Sequence, residues 1–288
     1  MFFSKKVRLT LLLLFFIALP SYFYYQNNAI ETSHYSFTHE NIPESFDGFT
    51  IAQVSDLHNK DFRGRLSEEV ATHEPDIIAV TGDVIDRNRT DIDTAIEALE
   101  ELIDIAPVYF VSGNHEVASG VYPELLEQML DIGVVDLDDD FNVIEREGST
   151  IGLLGIQDPL FFTYEEIQME GSSGRLIINR LEELKEASNT SYNILLSHRA
   201  ELMEIYAQTD IDLALTGHAH GGQIRLPFVN GLFAPTQGFL PEYTSGVYEQ
   251  DNTAMVVSRG LGNSAFPLRI NNRPELVIVT LESDSSQR

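Results

Sequence analysis

The chain contains no cysteine among its 288 residues. Disulfides and thiolate metal sites are therefore excluded, and the stability and chemistry must come from other groups. Such a composition suits an exported bacterial protein. Basic residues are scarce as well: 18 Lys+Arg stand against 45 Asp+Glu, for a formal net charge of −27. Nucleic acid is not an expected partner, because binding a phosphate backbone needs a basic footprint. The surplus acids are expected on solvated helix faces, as in 91–104 and 181–186. There is no internal repeat, and no small-x-small cleavage site follows the N-terminal apolar run.

That run reads as a membrane anchor. Lys5, Lys6 and Arg8 precede residues 9–19, apolar except for Thr10, and the aromatic group Tyr22, Phe23, Tyr24 and Tyr25 follows. A basic flank, an apolar run and interfacial aromatics describe an uncleaved signal anchor in preference to a cleaved signal. Counted through Tyr25, the span is about the minimum needed to cross a bilayer. The positive flank should stay inside, so everything after residue 26 is expected outside the cytoplasm. The expected organisation is an anchor over 1–26, a stalk with one edge strand over 27–47, a main domain over 48–283 and a short tail over 284–288.

Within 48–283, short apolar runs alternate with helical patterns. Strands are expected at 49–54, 77–80, 108–111, 193–196, 211–215, 255–258 and 276–281, with a hairpin joining 142–144 to 151–156 around Glu147-Gly148. Helices are expected at 65–73, 91–105, 122–130, 174–187 and 200–206. Strand–helix–strand alternation implies parallel βαβ units and an α/β fold. Residues 221–246, rich in glycine, proline and aromatics, read as a long loop.

Polar clusters stand directly after the apolar strands. They supply Asp56 and His58, Asp83, Asn114, His198, and the pair His218 and His220 within T-G-H-A-H-G-G-Q. Open α/β sheets place ligands at such carboxyl ends. All seven are oxygen or imidazole donors, more than one ion needs, and a shared carboxylate can hold two ions roughly 3.5–4 Å apart. Histidines two apart on an extended strand end should point the same way. His34, His39 and His73 fall outside every cluster and are expected on the surface.

The ordered blocks D-L-H at 56–58, G-D-V-I-D at 82–86, G-N-H-E at 113–116, S-H at 197–198 and G-H-A-H at 217–220 resemble the calcineurin-like metallophosphoesterases. Further stretches, G-G-Q-I-R-L-P at 221–227, S-R-G-L-G at 258–262 and R-P-E at 273–275, look like its bacterial membrane-associated branch, which includes the YkuE-like enzymes and relatives of UDP-2,3-diacylglucosamine pyrophosphatase. The resemblance implies a four-layer αββα sandwich. It implies a binuclear metal centre of manganese, iron or zinc, with Asp56, His58 and His220 on one ion, Asn114, His198 and His218 on the other, and Asp83 bridging. It implies hydrolysis of a phosphomonoester, phosphodiester or pyrophosphate bond by a metal-bound hydroxide. His115 would then face the substrate, and the catalytic residues are His115 and Asp83. Ala200 stands where the branch often has proline, which affects the loop shape and not the ligand set. Arg199 either contacts a phosphate or starts a helix. A lipid-linked nucleotide pyrophosphatase and a non-catalytic binder of envelope polymers are the alternative functions.

Overall fold

A computed structural model describes residues 4–263 and 266–284. Helix α1 (Lys5–Asn28) comes first, then strand β1 (Glu31–His39). The parallel units follow: β2 (Thr50–Val54), α2 (Arg65–Ala71), β3 (Ile77–Thr81), α3 (Ile92–Ile103) and β4 (Val108–Val111). Next come α4 (Asn114–Ser119), α5 (Tyr122–Asp131), β5 (Val135–Asp136), β6 (Phe141–Arg146), β7 (Ser149–Gly155), α6 (Tyr164–Glu170) and α7 (Ser173–Ser188). The second half carries β8 (Asn193–Arg199), α8 (Met203–Gln208) and β9 (Leu213–Gly217). It continues with the short strands β10 (Arg225–Leu226), β11 (Val229–Gly231), β12 (Phe233–Ala234) and β13 (Gly238–Phe239), then β14 (Gly246–Gln250), β15 (Thr253–Val257) and β16 (Glu275–Ser283).

Two six-stranded sheets result, ordered β1-β16-β2-β3-β4-β5 and β14-β15-β9-β8-β7-β6. Their strands are apolar on both faces because both faces are covered. In β3, Ile77 and Ala79 point between the sheets, while Ile78 and Val80 point at α2, α3 and α5. In β8, Ile194 and Leu196 face the other sheet and Leu195 faces the outer helices α7 and α8. Three apolar cores therefore separate four layers, αββα. The period-two alternation assigns each side chain to its core.

The segment 27–47 carries the expected edge strand, but that strand lies on the sheet and does not stand off as a stalk. Helix α1 runs on through Pro20 to Asn28, and β1 pairs in parallel with β16 over its full length, from Glu31 beside Glu275 to His39 beside Ser283. The hairpin of β6 and β7 forms around Glu147-Gly148 as expected, both at positive φ. The loop expected at 221–246 contains two small antiparallel ribbons, β10–β11 and β12–β13.

Helix α1 is 24 residues long, apolar, and exposed over its whole hydrophobic window. At ~1.5 Å rise per residue it spans about 36 Å, enough for a hydrocarbon core of about 30 Å.

Candidate metal centre

The loops after β2 and β3 run side by side. Asp56 N–H donates to the Gly82 carbonyl at 3.0 Å, and His58 N–H donates to the Asp83 carbonyl at 3.0 Å. Beneath them Gln53 Nε2 donates to Thr81 Oγ1 at 3.1 Å and to the Thr216 carbonyl at 2.9 Å, tying the two sheets together under the site. The five parallel strand ends thus meet at one point, and each delivers its polar residues there.

Asp56, His58, Asp83 and His220 form one buried group able to hold an ion; Asp83, His198 and His218 form a second. His220 Nε2 lies 3.2 Å from Asp56 Oδ1 and 3.1 Å from His58 Nε2. In the second group His198 Nε2 lies 3.1 Å from His218 Nδ1. Asp83 Oδ2 belongs to both, at 3.7 Å from His58 Nε2 and 3.2 Å from His198 Nε2. His198 Nδ1 faces the Thr81 carbonyl at 2.8 Å, so it donates there and leaves Nε2 free to ligate. Asp56 Oδ1 and Asn114 Oδ1 are buried acceptors without a hydrogen-bond partner. Buried oxygens of that kind, aimed among imidazoles, fit a cation. All the expected Asp and His donors enter these two groups, and Asn114 is the residue after Gly113, whose backbone lies against the Asp83 carboxylate.

The local backbone differs from an extended strand end. β9 stops at Gly217, and both His218 (φ 67°) and His220 (φ 48°) are left-handed, with right-handed Ala219 between them. The pair therefore divides between the two groups, and the period-two argument does not apply. Asp56, His58 and Asp83 are also left-handed, at φ 54°, 49° and 54°. Such backbone costs energy in residues with a Cβ and gathers at functional sites. Gly217 and Gly113 serve a different need: a Cβ on Gly217 would meet Ser55 and the Asp56 carboxylate, and one on Gly113 would meet the Asp83 carboxylate.

Charge follows from burial and proximity. Burial alone would raise Asp83, but the imidazoles of His198, His58 and His115 outweigh it and hold the carboxyl well below the usual range. Burial opposes charge on His198 too, yet the adjoining Asp83 carboxylate lifts it to about 10. His220 goes the other way, lowered by burial to about 3 despite Asp56 beside it. Two desolvated carboxylates thus demand positive charge among four imidazoles, and divalent ions supply it directly.

Asn114 and His115 open α4, with Gly113 as N-cap. His115 Nδ1 accepts a hydrogen bond from Arg87 N–H at 3.0 Å. That lone pair is taken, so the neutral ring carries its proton on Nε2, which lies 4.0 Å from Asp83 Oδ2. Asp86 both turns its own loop, accepting from Asn88 N–H at 2.8 Å, and faces the Nδ1 atoms of His58 and His115 at 3.7 and 3.9 Å. His58, Asp86 and His115 form a third group that meets the same distance condition for an ion. His34, His39 and His73 lie outside all three groups.

Two features escaped the sequence reading. Glu116 is fully buried, and its carboxylate accepts from four backbone N–H groups: Asp83, Gly113, Val84 and Ile85. Burial and the neighbouring Asp83 carboxylate push its pKa up to about 7, and these donors oppose that rise. It thereby staples the loop carrying Asp83 to the loop carrying Asn114. The second is Asp158, after β7, which grips Arg199 with both oxygens at 2.5 and 3.0 Å. Arg199 does not merely start a helix: its Nη1 stands 2.9 Å from His218 Nε2. The signal for Asp158 was present, since it too follows a strand of the sheet. A cleft of about 650 Å³ opens beside the centre, lined by His58, Lys60, Asp86, Arg89 and Asn263 among others.

Comparison with known proteins agrees with this geometry. The family model described as calcineurin-like phosphoesterase matches residues 49–222. The chain is 31% identical over 271 residues to the uncharacterized metallophosphoesterase YkuE of Bacillus subtilis, covering 90% of this chain and 88% of that one. It is 26% identical to the phosphodiesterase YaeI of Escherichia coli, covering 81% and 82% of the two chains. It is 27% identical to a Bos taurus protein named as a transmembrane protein with metallophosphoesterase domain, covering 84% of this chain and 55% of that one. The family match spans more than half of the sequence and takes in every strand end that converges here, so the chain belongs to the calcineurin-like phosphoesterases and is a metal-dependent phosphoester hydrolase.

Proposed function

We propose that the chain is a membrane-anchored two-metal phosphoesterase acting on a phosphomonoester, phosphodiester or pyrophosphate bond. The observation that carries the two-metal reading is Asp83, whose Oδ2 is shared by two buried donor groups. In this reading Asp56, His58 and His220 hold one ion, Asn114, His198 and His218 the other, and Asp83 bridges. Manganese, iron or zinc suits such imidazole and carboxylate donors; bound there, the pair would polarise phosphoryl oxygens and lower the pKa of water. Arg199, locked by Asp158 and directed at the second group, holds a phosphoryl oxygen of the substrate. His115 presents Nε2–H to the oxygen that leaves. Lys60 and Arg89 line the cleft that takes the rest of the substrate.

Full-length protein supplied with manganese should hydrolyse bis-p-nitrophenyl phosphate. Metal-loaded protein that turns over neither this ester nor its monoester would point instead to a binder of phosphorylated envelope polymers. Arg199→Lys tests the phosphate contact. Lysine keeps the charge but loses the planar fork, so KM should rise about 10–100-fold, the size of a lost charge-assisted hydrogen bond. An unchanged KM removes Arg199 from the binding site.

The anchor reading rests on exposed α1 and its basic flank, and the bovine relative bears a transmembrane name. A C-terminal reporter active only outside the cytoplasm should work when fused here. Activity of a cytoplasm-only reporter would reverse the orientation. It would favour the alternative within the YkuE and UDP-2,3-diacylglucosamine pyrophosphatase branch, a lipid-linked nucleotide substrate, since nucleotide sugars are cytoplasmic.

A further inference from the structure

Residues 224–241 and 259–274 of this acidic chain contain no Asp or Glu. The fold brings both to the foot of α1. Asn27 Oδ1 accepts from Arg269 N–H at 3.0 Å and from Asn263 Nδ2 at 3.2 Å, and Gln26 Oε1 accepts from Asn272 N–H at 3.3 Å. One turn nearer the apolar run, Tyr22 O–H donates to Asn271 Oδ1 at 2.9 Å. The next layer is β10: Arg225 N–H donates to the Ile270 carbonyl at 3.0 Å, and Asn271 Nδ2 donates to the Arg225 carbonyl at 3.2 Å. The helix is thus bolted to the catalytic domain through 269–272, and the ribbons β10–β13 begin beside it at the level of Tyr22.

Those ribbons turn apolar side chains to solvent. Phe228 is fully exposed (107%), Phe239 and Leu240 are largely so (77% and 66%), and Leu226, Phe233 and Val229 follow at 45%, 42% and 37%. Monomeric soluble proteins rarely leave such a group open. The same ribbons pack on the metal loops: Leu232 N–H donates to the Gly222 carbonyl at 3.0 Å, and Thr236 reaches Glu201 beside Arg199. At the foot of the helix, Asn263 lines the cleft and bonds to Asn27.

We propose that the acid-free ribbon 225–240 seats in the lipid interface beside α1, holding the mouth of the metal cleft at the membrane surface. The proposal rests on the anchor reading of α1. Three observations select lipid as the occupant: the bond network to a helix long enough to span, exposed aromatic and aliphatic side chains on ribbons whose first strand is bonded to Asn271, the partner of Tyr22 in that helix, and the lack of acids in 225–240, which would meet anionic headgroups.

The chain has no tryptophan, so one introduced indole reports on one place. Full-length Phe228→Trp and Phe239→Trp proteins are reconstituted in vesicles of phosphatidylcholine and phosphatidylglycerol, with and without brominated acyl chains. Leu14→Trp, within α1, reports on the anchor, and Val143→Trp, exposed on β6, reports on a remote surface. Phe228→Trp should emit at shorter wavelength than Val143→Trp and lose about twofold of its intensity to brominated lipid, as a side chain ~5–10 Å into the interface does. Phe239→Trp should lose intensity too. Quenching of Leu14→Trp with none at Phe228 or Phe239 overturns the proposal and leaves the anchor standing. A blue-shifted but unquenched Phe228→Trp means that protein, such as a second copy, covers the ribbon, and also overturns it. An unquenched Leu14→Trp shows instead that the anchor reading has failed, and the proposal with it.

Discussion

Asp83→Asn is expected to purify with neither ion bound. Its carboxylate is the one group shared by both donor sets, and its Oδ1 also accepts His115 N–H at 2.7 Å, so it fixes the entry of α4 as well. Replacing one oxygen with an amide nitrogen puts a donor where a cation belongs and leaves the buried imidazoles without their charge partner. Loss of an outer partner of a ligand already costs about 10–100-fold in metal affinity; loss of the bridge should cost at least ~100-fold at both positions, with turnover falling in step. Elemental analysis, after dialysis against micromolar manganese, reads the result directly. A mutant that keeps a full pair of ions ends the bridging assignment. A mutant that keeps one ion assigns Asp83 to a single site. Far-UV circular dichroism separates either result from unfolding.

His115→Ala should do the opposite, keeping its ions and losing rate. The ring is held by Arg87 N–H on Nδ1, and its Nε2–H is directed toward the centre, 4.0 Å from Asp83 Oδ2. A side chain placed to donate to a leaving oxygen contributes about 10²–10⁴-fold, and kcat should fall by that range with KM little changed. Nitrophenolate leaves without a proton, so nitrophenyl esters should suffer less than alkyl esters. His218→Ala is the comparison: it removes a donor of the second group, and activity toward both ester classes should vanish with the metal. Parallel loss of metal in His115→Ala and His218→Ala would make His115 either a ligand, with His58 and Asp86 in the third group, or a structural support of the centre.

The candidate donors were legible in the sequence wherever they stood next to a buried strand. Asp56, His58, Asp83, Asn114, His198, His218 and His220 each follow an apolar run, and a run apolar on both faces announces a strand whose end opens on a ligand site. Those residue types and their order set the donor inventory without coordinates. Hairpin β6–β7 was equally plain, because Glu147-Gly148 is a local turn signal.

Tertiary structure alone decided what depends on distant partners. Strand β1, mostly polar, was expected only as one edge strand somewhere in 27–47, and its place comes from β16, at the other end of the chain. A pattern read along the chain carries no record of that pairing, since the cost of closing so long a loop is met only by contacts made on arrival. The left-handed backbone at His218 and His220 has the same origin. Local preference for residues with a Cβ opposes it, and at His218 the N–H is met by Asp56 Oδ2 at 3.1 Å, from a loop 162 residues away. Glu116 and Asp158 look like ordinary acids in the sequence of a chain with 45 of them. Burial makes them different: removed from water, one carboxylate must find four backbone N–H groups and the other a guanidinium, and all of those partners but Gly113 lie on other loops. Residue type fixed which atoms can ligate; only the desolvated, three-dimensional neighbourhood fixed which of them face each other.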